Sequence, residues 1–337
     1  MTIKDLAART GYAVGTVSRV LNNHPNVSEK ARAAILQAVE ESGFQLNVNA
    51  KQLKQSHATS ILVLVKGTGN ELFAEMVEVI QAQISQTRYP LYVDYMDEEC
   101  DEVLRAIQLC REKKPLGILF LGGSSHHFRA NFGKIDIPCV LVTMDASELG
   151  FDNLSSVSTD DAQAARQAVD ELIAMGHRTF GLIGGPRELS DISRLRYEGF
   201  LSSIREHDIV FDEEQDYETV RFNFQGGYQG TSQLLARGRS FTALLAASDV
   251  MAIGAIRALT DAGLRVPEDV SVMGYDGLLL GSYMVPRLST VSQSVDTIAR
   301  RSVELLLDSV EQGDGAKHES VPFSLYYLES TRQLAEK

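Results

Sequence analysis

Between residues 3 and 42 the apolar positions recur three and four residues apart, the spacing of helices rather than strands. Ile3, Leu6 and Ala7 share one face of a first helix running through Arg9, with Thr2 and Asp5 placed as a capping box. Gly11 stops that helix and permits a tight turn. Val17, Val20 and Leu21 mark a second helix from about Ala13 to Asn22, whose other face carries Gly15, Thr16, Ser18, Arg19 and Asn22. A loop, Asn23-His24-Pro25-Asn26, follows. Ser28 then caps a third helix, Glu29 to Ser42, with Ala31, Ile35, Ala38 and Val39 inward and Gly43 as its stop. Two short helices about a glycine, braced by a third, make a helix-turn-helix.

Residues 45–57 are polar and read as a linker in which Leu53 is the large apolar residue. From Ser60 the period changes. Short apolar runs such as "SILVLV" (60–65), "LYVDYM" (91–96), "LGILFLGG" (116–123) and "PCVLVTMD" (138–145) alternate with helical segments at 71–87 and 102–114. A second series is expected to start at "SSVSTD" (155–160) and to continue through "FGLIGG" (180–185), "FTALLAAS" (241–248) and "DVSVMGYD" (269–276), with helices between. A tail of one helix and a last strand closes the chain. The alternation predicts parallel sheets with helices on both faces. The fold class expected is an N-terminal all-α helix-turn-helix head followed by an α/β core of two parallel-sheet subdomains. Its divisions are 1–45 for the head, 46–58 for a hinge or linker, and 59–337 for the core.

Net charge is −13 over 337 residues, which alone argues against a protein that coats nucleic acid. Its distribution changes that. Residues 1–58 hold seven Lys/Arg and four Asp/Glu, a balance of +3, leaving −16 for the rest. A basic head on an acidic body suits a polyanion-binding module joined to something else. Cys100, Cys110 and Cys139 form no CxxC pair and fit reduced, buried thiols. No secretory signal or membrane-length apolar run is present, so the expected location is the cytoplasm, on the nucleoid when bound to DNA.

With its apolar side pinned, the second helix is free to enter a DNA major groove. Arg19 can donate twice to guanine O6 and N7. Thr16, Ser18 and Asn22 are short polar groups suited to phosphates, while Val14 and Gly15 are small and permit close approach. Thr2, Asn26 and Lys30 complete the set expected to face DNA from the head. In the body, parallel sheets bind ligands at the carboxyl ends of their strands. The candidates there are Glu71, Phe73, Asp145, Arg194, Arg196, Phe222, Ser248, Asp249 and Asp276. Carboxylate and guanidinium groups take paired hydroxyls and aromatic rings cover a sugar's apolar face, so the set suits a polyhydroxylated ligand.

"TIKDLA", "TVSRVLNN" and "VSEKAR" fall in order within the first 44 residues. Further on come "LIAMGHRTFGLIGGP", "SRLRYEGF", "AASDVMAIGAIRAL", "VPEDVSVMGYD" and "PRLSTV". In these the chain, from Thr2 to about Arg332, resembles the lactose-repressor/galactose-repressor (LacI/GalR) family of bacterial regulators, whose core is similar to periplasmic sugar-binding proteins. The resemblance implies that Asn47 to Lys54 is a hinge helix ordered on operator DNA. Asn47, Lys51 and Lys54 then contact DNA, and Leu53 falls where the family wedges a leucine into a minor-groove base step. It also implies that Asp145, Arg196, Phe222, Ser248 and Asp276 sit at effector-contact positions. Four positions depart from the family pattern: Tyr12, Ala13 in place of a capping Ser, Leu46 in place of Pro, and Ser248 in place of Asn.

GxGxxG after a strand, GxxxxGK[ST], HExxH and GxSxG are all absent from the sequence. His126 and His127 lack an acidic or Cys partner at ligand spacing and read as a surface loop. No catalytic residue, metal or cofactor is expected. The function expected is a sequence-specific DNA-binding transcriptional regulator, a repressor of carbohydrate-use genes under allosteric control by a sugar or sugar phosphate. Its partners are a near-palindromic operator, that small molecule and a second copy of itself as a homodimer, with no membrane. Only "QLAEK" follows Arg332, too short for a C-terminal tetramerising helix. Two alternatives stay open: a two-domain α/β sugar-processing enzyme, and a sugar sensor acting through protein contacts.

Overall fold

The computed structural model describes residues 3–21, 27–42 and 60–334. The chain divides into two compact units, Met1–His57 and Ala58–Lys337.

In the first unit α1 (Ile3–Thr10), α2 (Val14–Leu21) and α3 (Glu29–Ser42) enclose a small core of Leu6, Ala7, Val17, Val20, Ile35 and Ala38. Gly11 takes φ +72°, which a residue with a Cβ adopts at a cost, and its N–H closes α1 onto the Ala7 carbonyl at 2.9 Å. Ala13 precedes α2 with no side-chain acceptor to offer, but its carbonyl takes the Thr16 and Val17 amides. Ser28 caps α3 through the Ala31 amide. Arg9 of α1 meets Glu41 of α3 at 3.3 Å. Both side chains are half exposed, so the pair adds little beyond orientation.

The second unit holds two six-stranded sheets, each the floor of one lobe. The first is ordered β11-β5-β4-β3-β1-β2, from β1 (Ile61–Lys66), β2 (Leu91–Met96), β3 (Gly117–Leu121), β4 (Cys139–Val142), β5 (Leu154–Ser158) and β11 (His318–Ser320), all parallel. Helices α4 (Glu71–Ile84), α5 (Glu102–Lys113) and α6 (Ser125–Asn131) belong to it. The second is ordered β12-β10-β9-β8-β6-β7, from β6 (Phe180–Gly184), β7 (Tyr217–Thr219), β8 (Ala243–Ala246), β9 (Ser271–Asp276), β10 (Ser289–Ser292) and β12 (Ser324–Tyr326). Only β12 runs antiparallel to its neighbour. Its helices are α7 (Asp161–Ala174), α8 (Asp191–Glu206), the short α9 (Glu213–Asp216), α10 (Phe224–Ala236) and α11 (Asp249–Asp261). Central strands such as β3 and β8 are buried throughout, as a sheet covered on both faces requires.

The chain passes between lobes three times: after β5, after β10 on its way into α12 (Val295–Gln312), and between β11 and β12. Helix α12 packs Ile298, Val303, Leu305 and Leu306 into the core of the first lobe. Three sequence expectations change here. The strand at 155–158 belongs to the first sheet, beside β4, and does not open the second series. Its polar look, Ser155-Ser156-Val157-Ser158, hid a buried central strand whose serine hydroxyls bond to Lys317, Ala146 and His318. β7 and β10 were not anticipated, and the tail holds two short strands after its helix, one joining each sheet. The thiols also differ from expectation: Cys139 is buried, but Cys100 is exposed and Cys110 is half-buried. Among the described residues no helix is long and apolar enough to cross a membrane.

Helices α10 and α11 cross at glycine. A Cβ at Gly254 would lie 2.1 Å from the Phe224 carbonyl oxygen, and one at Gly227 would lie 2.0 Å from that of Met251. Backbone cannot yield as a side-chain tip does. Gly254→Ala should therefore cost about 1–3 kcal/mol. It should lower the melting temperature of the core without altering its far-ultraviolet circular dichroism. An unchanged melting curve would show the crossing to be looser than described.

Candidate functional site

The carboxyl ends of both sheets face a common cleft of about 630 Å³. From the first lobe it is lined by Lys66 at the end of β1, Phe73 on α4, Gly122-Gly123 after β3, His127 on α6 and Thr143 after β4. From the second come Ser190 and Ile192, Arg196 on α8, Arg221 and Phe222 after β7, Asp276 at the end of β9, and Gln293. The cleft opens where β1 has β2 on one side and β3 on the other, the reversal of strand order at which open α/β sheets bind ligands. Gly122 (φ +78°) and Gly185 let the aromatic rings reach the floor. A Cβ would stand 3.0 Å from Phe73 at the first and 2.4 Å from Phe222 at the second.

Arg196 organises the second lobe's wall. It is 8% exposed. Its Nε donates to Asp161 Oδ1 at 2.7 Å, a terminal nitrogen donates to the Ala247 carbonyl, and its plane lies 3.5 Å over the Tyr275 ring. Asp276 Oδ1 stands 3.6 Å from the same guanidinium and accepts from Gln293 Nε2 at 2.9 Å. Burial pushes the Asp276 carboxyl up to about 8. Arg196 opposes that rise and the nearby carboxylate of Asp249 adds to it. Asp276 also holds φ +128°, which is unusual for a residue with a side chain and is the kind of strain that gathers at binding sites.

The first lobe's wall holds a second buried cluster. Glu102, at 1% exposed, takes the Lys66 ammonium at 2.5 Å, His127 Nδ1 at 2.9 Å and the Ser124 amide at 2.7 Å. This corrects the reading of His127 as part of a surface loop without an acidic partner. Asp101, Glu102 and His127 lie close enough to suggest a metal site. The place is taken: the oxygen His127 uses already holds the lysine, and Asp101 caps α5 through the Val103 and Leu104 amides. Lys66, Glu102, His127, Arg221 and Gln293 were all missed from sequence. Lys66 and Glu102 sit at the end of a strand and the start of a helix, a signal that was available.

Val250 and Leu278 of the second lobe pack into the core of the first, and polar contacts bridge the two as well. Arg221 reaches across to Asp97 at 2.7 Å and Glu98 at 2.5 Å, beyond β2. Asp191 accepts the Ser125 amide at 2.7 Å and its hydroxyl at 3.0 Å.

Of the nine body candidates, Phe73, Arg196, Phe222 and Asp276 line the cleft. The other five are used elsewhere. Ser248 caps α11 by accepting from the Met251 amide, and buried Asp249 accepts from the Gly277 and Leu278 amides and the Thr290 hydroxyl. Arg194 is exposed and pairs with Glu198 and Asp191. Glu71 is exposed in the first turn of α4. Asp145 accepts from Ser147 and Ser156, and the Ser147 bonds hold its carboxyl below the usual range despite partial burial.

In the head, Val14, Gly15 and Arg19 are exposed on α2, Thr16 is partly so, and Lys30 is exposed on α3. Thr2, Asn22, Asn26, Asn47, Lys51, Leu53 and Lys54 lie outside the described residues, as does the side chain of Ser18.

Residues 2–47 match the model for bacterial regulatory proteins of the lacI family, and residues 146–331 match that for a periplasmic binding protein-like domain. The chain belongs to the LacI family. It is 35% identical over 321 residues to the HTH-type transcriptional regulator MalR of Clostridium butyricum, covering 94% of this chain and 95% of that one. Among solved structures it resembles the lac repressor dimer bound to operator and the anti-inducer ONPF, with TM-score 0.72, 27% identity, and 98% and 99% coverage. It also resembles the regulator CelR in complex with cellobiose, with TM-score 0.69, 26% identity and the same coverage. As a member of the LacI family it is a DNA-binding transcriptional regulator.

The pKa of Asp276 carries a pH signature. An acid whose pKa is raised on folding binds more protons folded than unfolded, so its contribution to stability falls as pH rises from about 4 to about 8. Asparagine keeps the shape and tolerates positive φ. Asp276→Asn should therefore flatten the decline in melting temperature between pH 5 and pH 8 relative to wild type. Parallel profiles for the two proteins would mean that the carboxyl is not raised.

Proposed function

We propose that this regulator is a repressor of carbohydrate-use genes that binds a near-palindromic operator as a homodimer and carries its sugar or sugar-phosphate effector in the cleft between the lobes. The observation that carries this reading is the combination, on one chain, of an α2 helix pinned on its apolar side with Arg19 exposed, and a cleft walled by Phe73, Phe222, Arg196 and Asp276. Two further findings support it: the operator and cellobiose complexes of the two structurally similar proteins. Exposed apolar side chains on the core suit self-association. Tyr283 is 79% and Val285 91% exposed on the second lobe, and Tyr95 is 52% exposed on edge strand β2.

In this mechanism Arg19 reads a guanine, Val14 and Gly15 permit close approach to the groove, and Thr2, Thr16, Ser18, Asn22, Asn26 and Lys30 position the head on phosphates. Asn47, Lys51, Leu53 and Lys54 form the hinge contact. One head reads a half-site, so two heads set one helical turn apart demand a symmetric operator. A ligand that binds the closed cleft better than the open one shifts the population of lobe arrangements and, through the hinge, the affinity for DNA.

Arg19→Ala should relax base preference at one position of each half-site, a loss of about 1–3 kcal/mol of discrimination, in a selection from random duplexes. Retained preference at every position would remove Arg19 from the groove. Leu53→Ala should weaken operator binding in gel shifts and leave effector binding in calorimetry as in wild type. Equal loss of both would refute a hinge role.

A further inference from the structure

We infer that the effector is an uncharged, hydroxyl-rich sugar and not a sugar phosphate or sugar acid. The inference rests on the reading of the cleft as the effector site and narrows the class of ligand it takes.

Four basic side chains are among the described residues that line the cleft: Lys66, His127, Arg196 and Arg221. Each already has a carboxylate. Lys66 and His127 share Glu102, at 2.5 and 2.9 Å. Arg196 is held by Asp161 at 2.7 Å, with Asp276 at 3.6 Å. Arg221 is held by Asp97 and Glu98. An anion bound in the cleft has either to share Lys66, Arg196 or Arg221 with the carboxylate already on it or to draw it away. For Lys66 and Arg196 drawing it away leaves Glu102 or Asp161, both almost wholly buried, without a counter-charge. Breaking a buried pair from one side is among the costlier changes a protein can undergo. A phosphate also meets Glu99, a further carboxylate among the lining residues.

Among the described residues that line the cleft, one fully buried polar side-chain atom has no partner, and it is of the opposite kind. Gln293 is 3% exposed and spends its amide nitrogen on Asp276, while its carbonyl oxygen Oε1 has no hydrogen-bond partner. A buried acceptor without a partner carries a standing cost that a ligand's donor relieves. A hydroxyl supplies that donor. A phosphate or carboxylate oxygen is itself an acceptor and cannot. Phe73 and Phe222 add apolar ring surface for the C–H face of a sugar ring. Hydrogen bonding and apolar surface thus select a polyol ring, and the pairing of the cationic lining residues selects against an acid group on it.

The test is calorimetric titration of the full-length protein. Maltose, cellobiose, glucose and ribose form one group, and glucose 6-phosphate and glucuronate the other. Each titration is paired with operator affinity measured in the same buffer. At least one neutral sugar should bind and shift operator affinity, with the charged compounds weaker by about tenfold or more. Gln293→Leu should weaken that sugar by about tenfold or more, while the far-ultraviolet circular dichroism and operator binding stay those of the folded wild type. Glucose 6-phosphate or glucuronate binding as tightly as any neutral sugar overturns the inference and leaves the sugar-effector reading standing. A Gln293→Leu protein that binds the sugar as wild type does removes the unpaired acceptor as its basis. If no compound in either group binds or changes operator affinity, the reading of the cleft fails, and the inference with it.

Discussion

A guanidinium cannot be taken out of water without company, and the second lobe is arranged around that constraint. Arg196 is buried, so Asp161 at the start of α7, the Ala247 carbonyl after β8, and the ring of Tyr275 on β9 must all converge on it. That convergence fixes one side chain of α8 against the ends of two strands and the start of another helix. It also places Asp276, the last residue of β9, at the cleft face with its pKa raised by the same burial. The buried network that holds the lobe together is therefore also one wall of the cleft. The first lobe repeats the device with a different donor, Lys66, and a single carboxylate, Glu102, that also orients His127.

Between these two walls the contacts are of another kind. Arg221 with Asp97 and Glu98 is half exposed, and Asp191 reaches Ser125 from the tip of a helix. Exposed pairs contribute little to stability and are easily exchanged for water. The lobes are joined by these polar contacts, by Val250 and Leu278 packed into the first lobe's core, and by three chain crossings, and a ligand that favours one arrangement of the lobes shifts a population. The departure at Ser248 fits the same arrangement, since the serine caps α11 and is spent on its own backbone rather than on the cleft.

Much of this was legible in the sequence wherever local pattern decides structure. The head helices were read within a residue or so because their caps and 3.6-residue spacing are local signals, and α3 has the limits that Ser28 and the apolar spacing set. Arg196, Phe73, Phe222 and Asp276 were found because strand ends are where parallel sheets bind ligands. What failed was non-local. β5 has the serine content of a loop, and only its neighbours in the first sheet make it a strand. Asp249 has the sequence context of a ligand residue, but its carboxylate is satisfied by amides and a hydroxyl 28 to 41 residues away. Glu102 and His127, 25 residues apart, meet only because β3 carries the chain back across the sheet. Hydrogen-bond partners at such separations leave no mark on sequence spacing.

The account rests on one coupling: occupancy of the cleft and occupancy of the operator are linked through one chain. Thermodynamics requires any such linkage to be reciprocal. The direct measurement is the dissociation constant of an effector sugar for the full-length protein, determined with and without saturating operator duplex. Beside it stands the operator constant with and without saturating sugar. The account predicts that the two ratios are equal and differ from one. A sugar that binds the cleft with the same affinity whether or not operator is present would contradict it.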